Sequence, residues 1–176
     1  ACYDFLSQLY NRSTFERELK SEIERSAHSK VAVLFIDVDD FKFINDRFGH
    51  SVGDEVIKYV AGCIKQRVKG SGFAGRFGGD EFVLCITDPK QIEEIESLSL
   101  DLIDELYEGY HSELANVSIN VKASIGIAFY PEHGDDSNKV VAAADEAMYF
   151  VKKNGKANYH IYQPEDSEME DLQHTL

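Results

Sequence analysis

The segment "VAVLFIDVDD", residues 31–40, constrains the fold more than any other part of the chain. Its apolar run from Val31 to Ile36 is rich in β-branched residues and has no polar alternation, which predicts a central strand covered on both faces. That strand runs directly into acid. Asp37 and Asp39 lie two residues apart, hence on one face if the strand continues.

The remaining elements follow from periodicity. Phe15, Leu19 and Ile23 recur at i+4 between charges, predicting an amphipathic helix from Asn11 to about Ala27. Val52, Val56, Val60, Ile64 and Val68 mark a second helix, with Ser51 as candidate N-cap. Ile92, Ile95, Leu98, Leu102 and Leu106 mark a third, and "VVAAADEAMYFVKK" reads as the last. "GFAGRF" and "DEFVLCIT" predict two strands of a tight hairpin, with adjacent glycines supplying positive φ at the turn. "VKASIGIAFYP" is a strand ended by Pro131, and "NYHIYQ" a short closing strand. The order predicts an α/β (α+β) domain, residues 1–162, with a single central sheet of about five main strands flanked by helices. Residues 163–176 read as an acidic, frayed C-terminal tail or linker.

With 176 residues, 43% hydrophobic and 28% charged, the chain suffices for one core and not for two. Eighteen basic against 32 acidic residues give a formal charge of −14. Such a surface repels DNA and acidic lipid, so neither nucleic acid nor direct membrane contact is expected, and a phosphate ligand needs local cations or metal. Cys63 and Cys85 sit in hydrophobic runs, and with Cys2 make an odd number without CxxC spacing, as expected of free thiols in a reducing compartment. No stretch has transmembrane length and no secretory pattern opens the chain. A soluble cytoplasmic domain is expected, and the start "ACYDFLSQLYNR" leaves open that it is cut from a longer protein whose membrane anchor lies elsewhere.

Asp80 and Glu81 begin a later strand. If that strand neighbours Val31–Ile36, its carboxylates converge with Asp37, and such a set suits Mg²⁺, which takes oxygen ligands and retains positions for water and phosphate. Acids also punctuate strand ends for purely structural reasons. An EF-hand reading of "DVDDFKFINDRFGHSVGDE" fails because Phe41 and Lys42 stand where that loop needs an oxygen ligand and a Gly.

"DFLSQLYNR", "FIDVDDFKFINDRFGHSVGDE", "RFGGDEFVL", "ASIGIA" and "ADEAMYFVKKNGK" together resemble the successive signatures of the GGDEF family of bacterial diguanylate cyclases, up to about Tyr162. Gln8 stands where a Gly is usual. The resemblance implies a fold similar to nucleotidyl cyclases and polymerase palm domains. It also implies a nucleotidyltransferase reaction: two GTP condense to cyclic di-GMP, releasing two pyrophosphates, at the interface of a symmetric homodimer with one GTP per domain.

By that resemblance, Asp37, the Val38 carbonyl, Asp80 and Glu81 hold Mg²⁺ or Mn²⁺. Asp80 is also candidate base for the 3′-hydroxyl with Glu81 as its partner, the two roles being unapportioned. Lys42 reaches the phosphates as a transition-state cation, and Lys152 and Lys156 contact the terminal phosphates. Lys156 replaces the more usual Arg, which keeps charge but loses the bidentate fork. Asn45 and Asp54 match the guanine-recognising pair, since a carboxylate accepts from guanine N1–H and N2–H₂; Asp54 also suits a helix first turn. His50 either lines the nucleotide pocket or packs under the loop. Gly78 and Gly79 either admit nucleotide or simply make the hairpin. Arg76 is read as a structural partner of the acidic cluster.

The alternative is a non-catalytic GTP-binding GGDEF-like module regulating a larger signalling protein; intact Asp37, Lys42, Asn45, Asp54 and GGDEF acids weigh against it. A cyclase making a mixed adenine–guanine dinucleotide is disfavoured by Asp54. An attached sensory or regulatory domain is expected. Many family members carry a product-inhibition RxxD motif before the GGDEF turn. Here that stretch is "KGSG", degenerate at Lys69 and Gly72.

Overall fold

The structure is a computed structural model that describes residues 1–25 and 30–167. Helix α1 (Arg12–Arg25) precedes strand β1 (Val31–Val38), followed by α2 (Phe41–Phe48) and α3 (His50–Val68). The hairpin β2 (Gly72–Arg76) and β3 (Glu81–Thr87) leads to α4 (Ile92–Glu108). A small hairpin, β4 (Tyr110–Ser112) and β5 (Val117–Ile119), precedes β6 (Ala123–Tyr130), α5 (Ser137–Lys153) and β7 (Tyr159–Ile161). The five-stranded sheet has order β2-β3-β1-β6-β7, antiparallel except for β6 and β7.

The unalternating apolar run is central, as expected. Ala32, Leu34, Ile36 and Val38 join α3 and α4 in one cluster, while Val31, Val33 and Phe35 join α1 and α5 in the other. This two-residue parity is that of a strand buried on both sides. Each fully buried Leu, Ile or Phe contributes roughly 1.5–3 kcal/mol. Helix α5 comes unusually close to the sheet at Gly126, where a Cβ would lie 2.0 Å from the Ala144 carbonyl oxygen and 2.1 Å from Met148 N. Any side chain there would push α5, and with it Lys152, off the sheet.

Several expectations need correction. The segment from Phe41 breaks into two helices at Gly49 (φ 92), so α3 begins at His50, and neither helix has a side-chain N-cap bond; Ser51 is inside the helix. The β4–β5 hairpin was not expected. Neither Gly78 nor Gly79 has positive φ. The described tail is not frayed throughout: residues 164–167 form a helical turn. There buried Asp166 accepts from Gln163 N–H and pairs with His160 Nε2 at 3.1 Å. Ala27 and residues 168–176 lie outside the described residues. Cys63 and Cys85 are buried and free, as expected, and Cys2 is exposed. Among the described residues no helix is long and apolar enough to cross a membrane.

Candidate functional site

The acids of the sequence converge through strand register. Asp37 stands directly opposite Glu81 in the β1–β3 pair, and Val38 N–H donates to the Asp80 carbonyl at 3.1 Å. By parity Asp37 continues Val33 and Phe35, and Glu81 continues Val83 and Cys85, so both carboxylates face α1 and α5. Like charges directly opposite each other destabilise a sheet. Accordingly, burial first and then neighbouring Asp80 push the Asp37 carboxyl up to about 8. Burial and Asp80 likewise raise Glu81.

Two features anchor the hairpin that carries Asp80. The Arg76 guanidinium donates to the Gly78 carbonyl at 3.1 Å and to the Gly79 carbonyl at 2.7 Å, and pairs with Asp4 at 3.1 Å. Its carboxylate partner is therefore Asp4 of the N-terminal turn; the expected pairing with the acidic cluster is corrected. Capturing both carbonyls with one side chain lets the turn close without the left-handed glycines expected of it. Around a Cβ at Gly79 there is open space, and at Gly78 only Glu81 Oε2 lies near, at 3.8 Å.

The cations come from α5 and the turn after it. Lys152 Nζ sits 2.5 Å from Asp39 Oδ1 and 3.7 Å from Asp37 Oδ2. Asp39, which follows the end of β1, also accepts from Ser124 Oγ at 2.6 Å and from Ala157 N–H at 2.9 Å. Its side chain is fully buried and its bonding is internal, so Asp39 belongs to the scaffold of the site. Lys156 Nζ pairs with Asp40 at 2.8 Å in an exposed contact. Asp40, Lys156 and Ala157 all have left-handed φ, of 57°, 60° and 50°, a conformation costing of order 1–2 kcal/mol for each L residue.

Asn45 and Asp54 are brought near one another by the α2–α3 break. The Asn45 side chain lies over Gly53, the residue before Asp54, and Asp54 is exposed on the first turns of α3. Lys42 and His50 are exposed, at the starts of α2 and α3. His50 therefore does not pack beneath the loop.

The acids suit a divalent cation by donor type: Asp37 Oδ1 is buried without a hydrogen-bond partner, and the surrounding donors are carboxylate and carbonyl oxygens. Among the described residues no group of three or more His, Cys, Asp or Glu side chains forms a ready cage. A hard cation that draws further ligands from water and phosphate fits such a partial set.

Sequence reading named Asp39 only as a companion of Asp37 on one strand face, and gave Gly53 no role. Asp39 looked equivalent to Asp37, and only the end of β1 at Val38 separates them. Gly53 lies within "GHSVGDE", where its proximity to Asn45 depends on the angle between two helices.

Residues 1–158 match the family described as "Diguanylate cyclase, GGDEF domain". The chain is 33% identical over 165 residues to the bifunctional diguanylate cyclase/cyclic di-GMP phosphodiesterase MucR of Pseudomonas aeruginosa, covering 93% of this chain and 24% of that protein. It is 34% identical to diguanylate cyclase TpbB of the same species, covering 94% of this chain and 38% of TpbB. It is 30% identical to the cyclic di-GMP phosphodiesterase PdeR of Escherichia coli, at 92% and 24%. The chain thus spans less than half the length of these relatives. Among solved structures, the GGDEF domain of TpbB superposes with TM-score 0.91 at 30% identity, over 96% of this chain and 99% of that one. The GGDEF domain of DgcB from Caulobacter crescentus, in complex with c-di-GMP, gives 0.86 at 27%, over 92% and 95%. A five-stranded sheet with acids at the β1 and β3 ends, in a chain matched along nine-tenths of its length, belongs to the diguanylate cyclase GGDEF-domain family.

Proposed function

We propose that this domain is a diguanylate cyclase that condenses two GTP into cyclic di-GMP within a symmetric homodimer. The observation that carries the reading is the facing pair Asp37 and Glu81, with Asp80 beside them and Lys152 of α5 above. Opposed carboxylates next to a half-buried cation have little structural purpose, and they suit a centre where phosphate and metal charges offset them.

In this reading each domain holds one GTP. Asp54 accepts from guanine N1–H and N2–H₂, and Asn45 completes the base-recognising edge. Lys42, Lys152 and Lys156 neutralise the phosphates. The exposed Lys156–Asp40 pair is weak enough to exchange for a phosphate oxygen. Gly78 and Gly79 leave room for the nucleotide beside the turn, and His50 borders it. Asp37, the Val38 carbonyl, Asp80 and Glu81 would hold Mg²⁺ or Mn²⁺, which supplies Lewis acidity at the α-phosphate and a lowered pKa for the attacking hydroxyl.

The 3′-oxygen of one GTP bonds to the α-phosphorus of the other as the α–β anhydride bond breaks. Pyrophosphate departs with the bonding electrons, and Asp80 or Glu81 takes the 3′-hydroxyl proton. The facing domain performs the same step on the second bond. One domain contributes one GTP, so the reaction needs two.

Incubation with GTP and Mg²⁺ followed by chromatography of the products tests the reading. Cyclic di-GMP and pyrophosphate are expected, with a rate per subunit that rises with protein concentration through the dimerisation range. Binding of GTP without turnover at any concentration would instead indicate a regulatory GTP-binding module within a longer signalling protein.

A further inference from the structure

We infer that Asp39 is a positioning residue that builds the receptor for the terminal phosphates of GTP, by locking Lys152 and the 154–157 turn to the end of β1. The inference rests on the nucleotide reading above and adds a residue to it.

The geometry supports this in three steps. Asp39 is a charged group whose side chain has no solvent exposure, and such a charge persists only when fully paired. Its partners come from three separate elements: Lys152 near the end of α5, Ser124 in β6, and the Ala157 N–H in the turn leading to β7. One carboxylate therefore fastens α5, β6 and the following turn to β1.

Second, the fastening orients Lys152. The Lys152 ammonium has three N–H donors, and Asp39 engages it at 2.5 Å, leaving donors for oxygens on the open side near Asp37. With no anchor, a flexible four-carbon stem beside several carboxylates would sample many positions, and its ordering would have to occur at binding.

The third step is the turn itself. Gly155, Lys156 and Ala157 carry φ of 105°, 60° and 50°; for the latter two, L residues, this region is costly and persists where the surroundings hold it. Ala157 N–H donates to Asp39 Oδ2, and Lys156 N–H donates to the Val151 carbonyl at 2.9 Å. This backbone projects Lys156 to the neighbourhood of Asp40, at the β1–α2 junction, on the same side as Lys152.

The test compares a non-hydrolysable GTP analogue with GMP by calorimetry, both with Mg²⁺, for the unaltered domain, Asp39→Asn and Ser124→Ala. Asn keeps the size of Asp39 but loses its charge and offers an NH₂ toward a donor. Loss of the lysine receptor should weaken the triphosphate by about tenfold or more and GMP by less than about threefold. Ser124→Ala, which removes one tether and leaves the carboxylate, should shift the ratio in the same direction by a smaller factor. It decides the matter if Asp39→Asn does not fold. Equal weakening of both nucleotides, or an unchanged ratio in a folded variant, overturns the inference and leaves the cyclase reading standing. An unaltered domain with no preference for triphosphate over monophosphate overturns both.

Discussion

The Asn45 side-chain oxygen occupies the space a Cβ on Gly53 would need, 1.8 Å from that position, so residue 53 sets where Asn45 can point. Asp54 follows immediately. The pair proposed to recognise the base is thus set by an absent side chain. Gly53→Ala should leave the fold intact, since the obstructing atom is the end of a movable side chain and Ala favours helix. The apparent KM for GTP should rise by about tenfold, while Tm moves by less than about 3 °C. A Gly53→Ala domain with unchanged KM would show that Asn45 does not need this position.

Asp80→Asn should abolish turnover while leaving the thermal transition in place. The side chain stands in the turn between β2 and β3, outside both hydrophobic clusters, and the hairpin is secured through Arg76. Retention of most of the activity would remove Asp80 from the metal and base roles.

How much of this was legible before the structure depends on the scale of each element. Val31–Ile36 announced a doubly covered strand because six apolar residues in a row leave no solvent face. Helix α2, eight residues with Ile44 alone buried, carries too little periodicity to be seen, as do the three-residue strands β4 and β5. The acids were legible as a set, but their convergence needed the Asp37–Glu81 register, which depends on how β3 pairs with β1. Positive φ at Gly78 and Gly79 was the wrong expectation because turn-type preferences do not include a side chain. The Arg76 guanidinium holds both turn carbonyls and selects another geometry.

Removing one charge of the facing pair should stabilise the metal-free domain. The Asp37 carboxyl is raised to about 8 by burial and Asp80, against about 3.9 for an unfolded Asp. A raised carboxyl favours folding below the unfolded value and loses that contribution as pH climbs through the folded one. Asp37→Asn should therefore match the unaltered domain near pH 4 in chelator and exceed it near pH 9, the gap opening progressively between about pH 4 and about 8, while losing activity. Denaturant titrations at both pH values measure this. A variant less stable at pH 9 would show that Asp37 is favourably paired as an anion.

Specificity should reside in Asp54. A carboxylate only accepts hydrogen bonds, which suits guanine N1–H and N2–H₂ and opposes adenine, whose N1 is itself an acceptor. Asp54→Ser, at an exposed site, should leave stability unchanged and reduce the preference for GTP over ATP. An unchanged preference in competition assays would locate guanine recognition elsewhere.

Product feedback should be weak, for a backbone reason as well as a side-chain one. Lys69, at the end of α3, offers a flexible ammonium where a guanidinium would grip a guanine edge or phosphate through two bonds. Gly72 opens β2 opposite Ile86, and a Cβ built there would lie 1.8 Å from the Cys85 carbonyl oxygen and 2.9 Å from its carbon. That neighbour is backbone and cannot swing aside. A carboxylate at position 72 would thus require β2 to shift against β3 from the position it holds in this chain. Initial rates at saturating GTP should be unchanged by added cyclic di-GMP, and weak competition at the active site should show only at subsaturating GTP. The double variant Lys69→Arg with Gly72→Asp should lower Tm without creating tight product binding in calorimetry. Strong non-competitive inhibition of the unaltered domain that disappears in Lys69→Ala would show that this surface binds product through other groups.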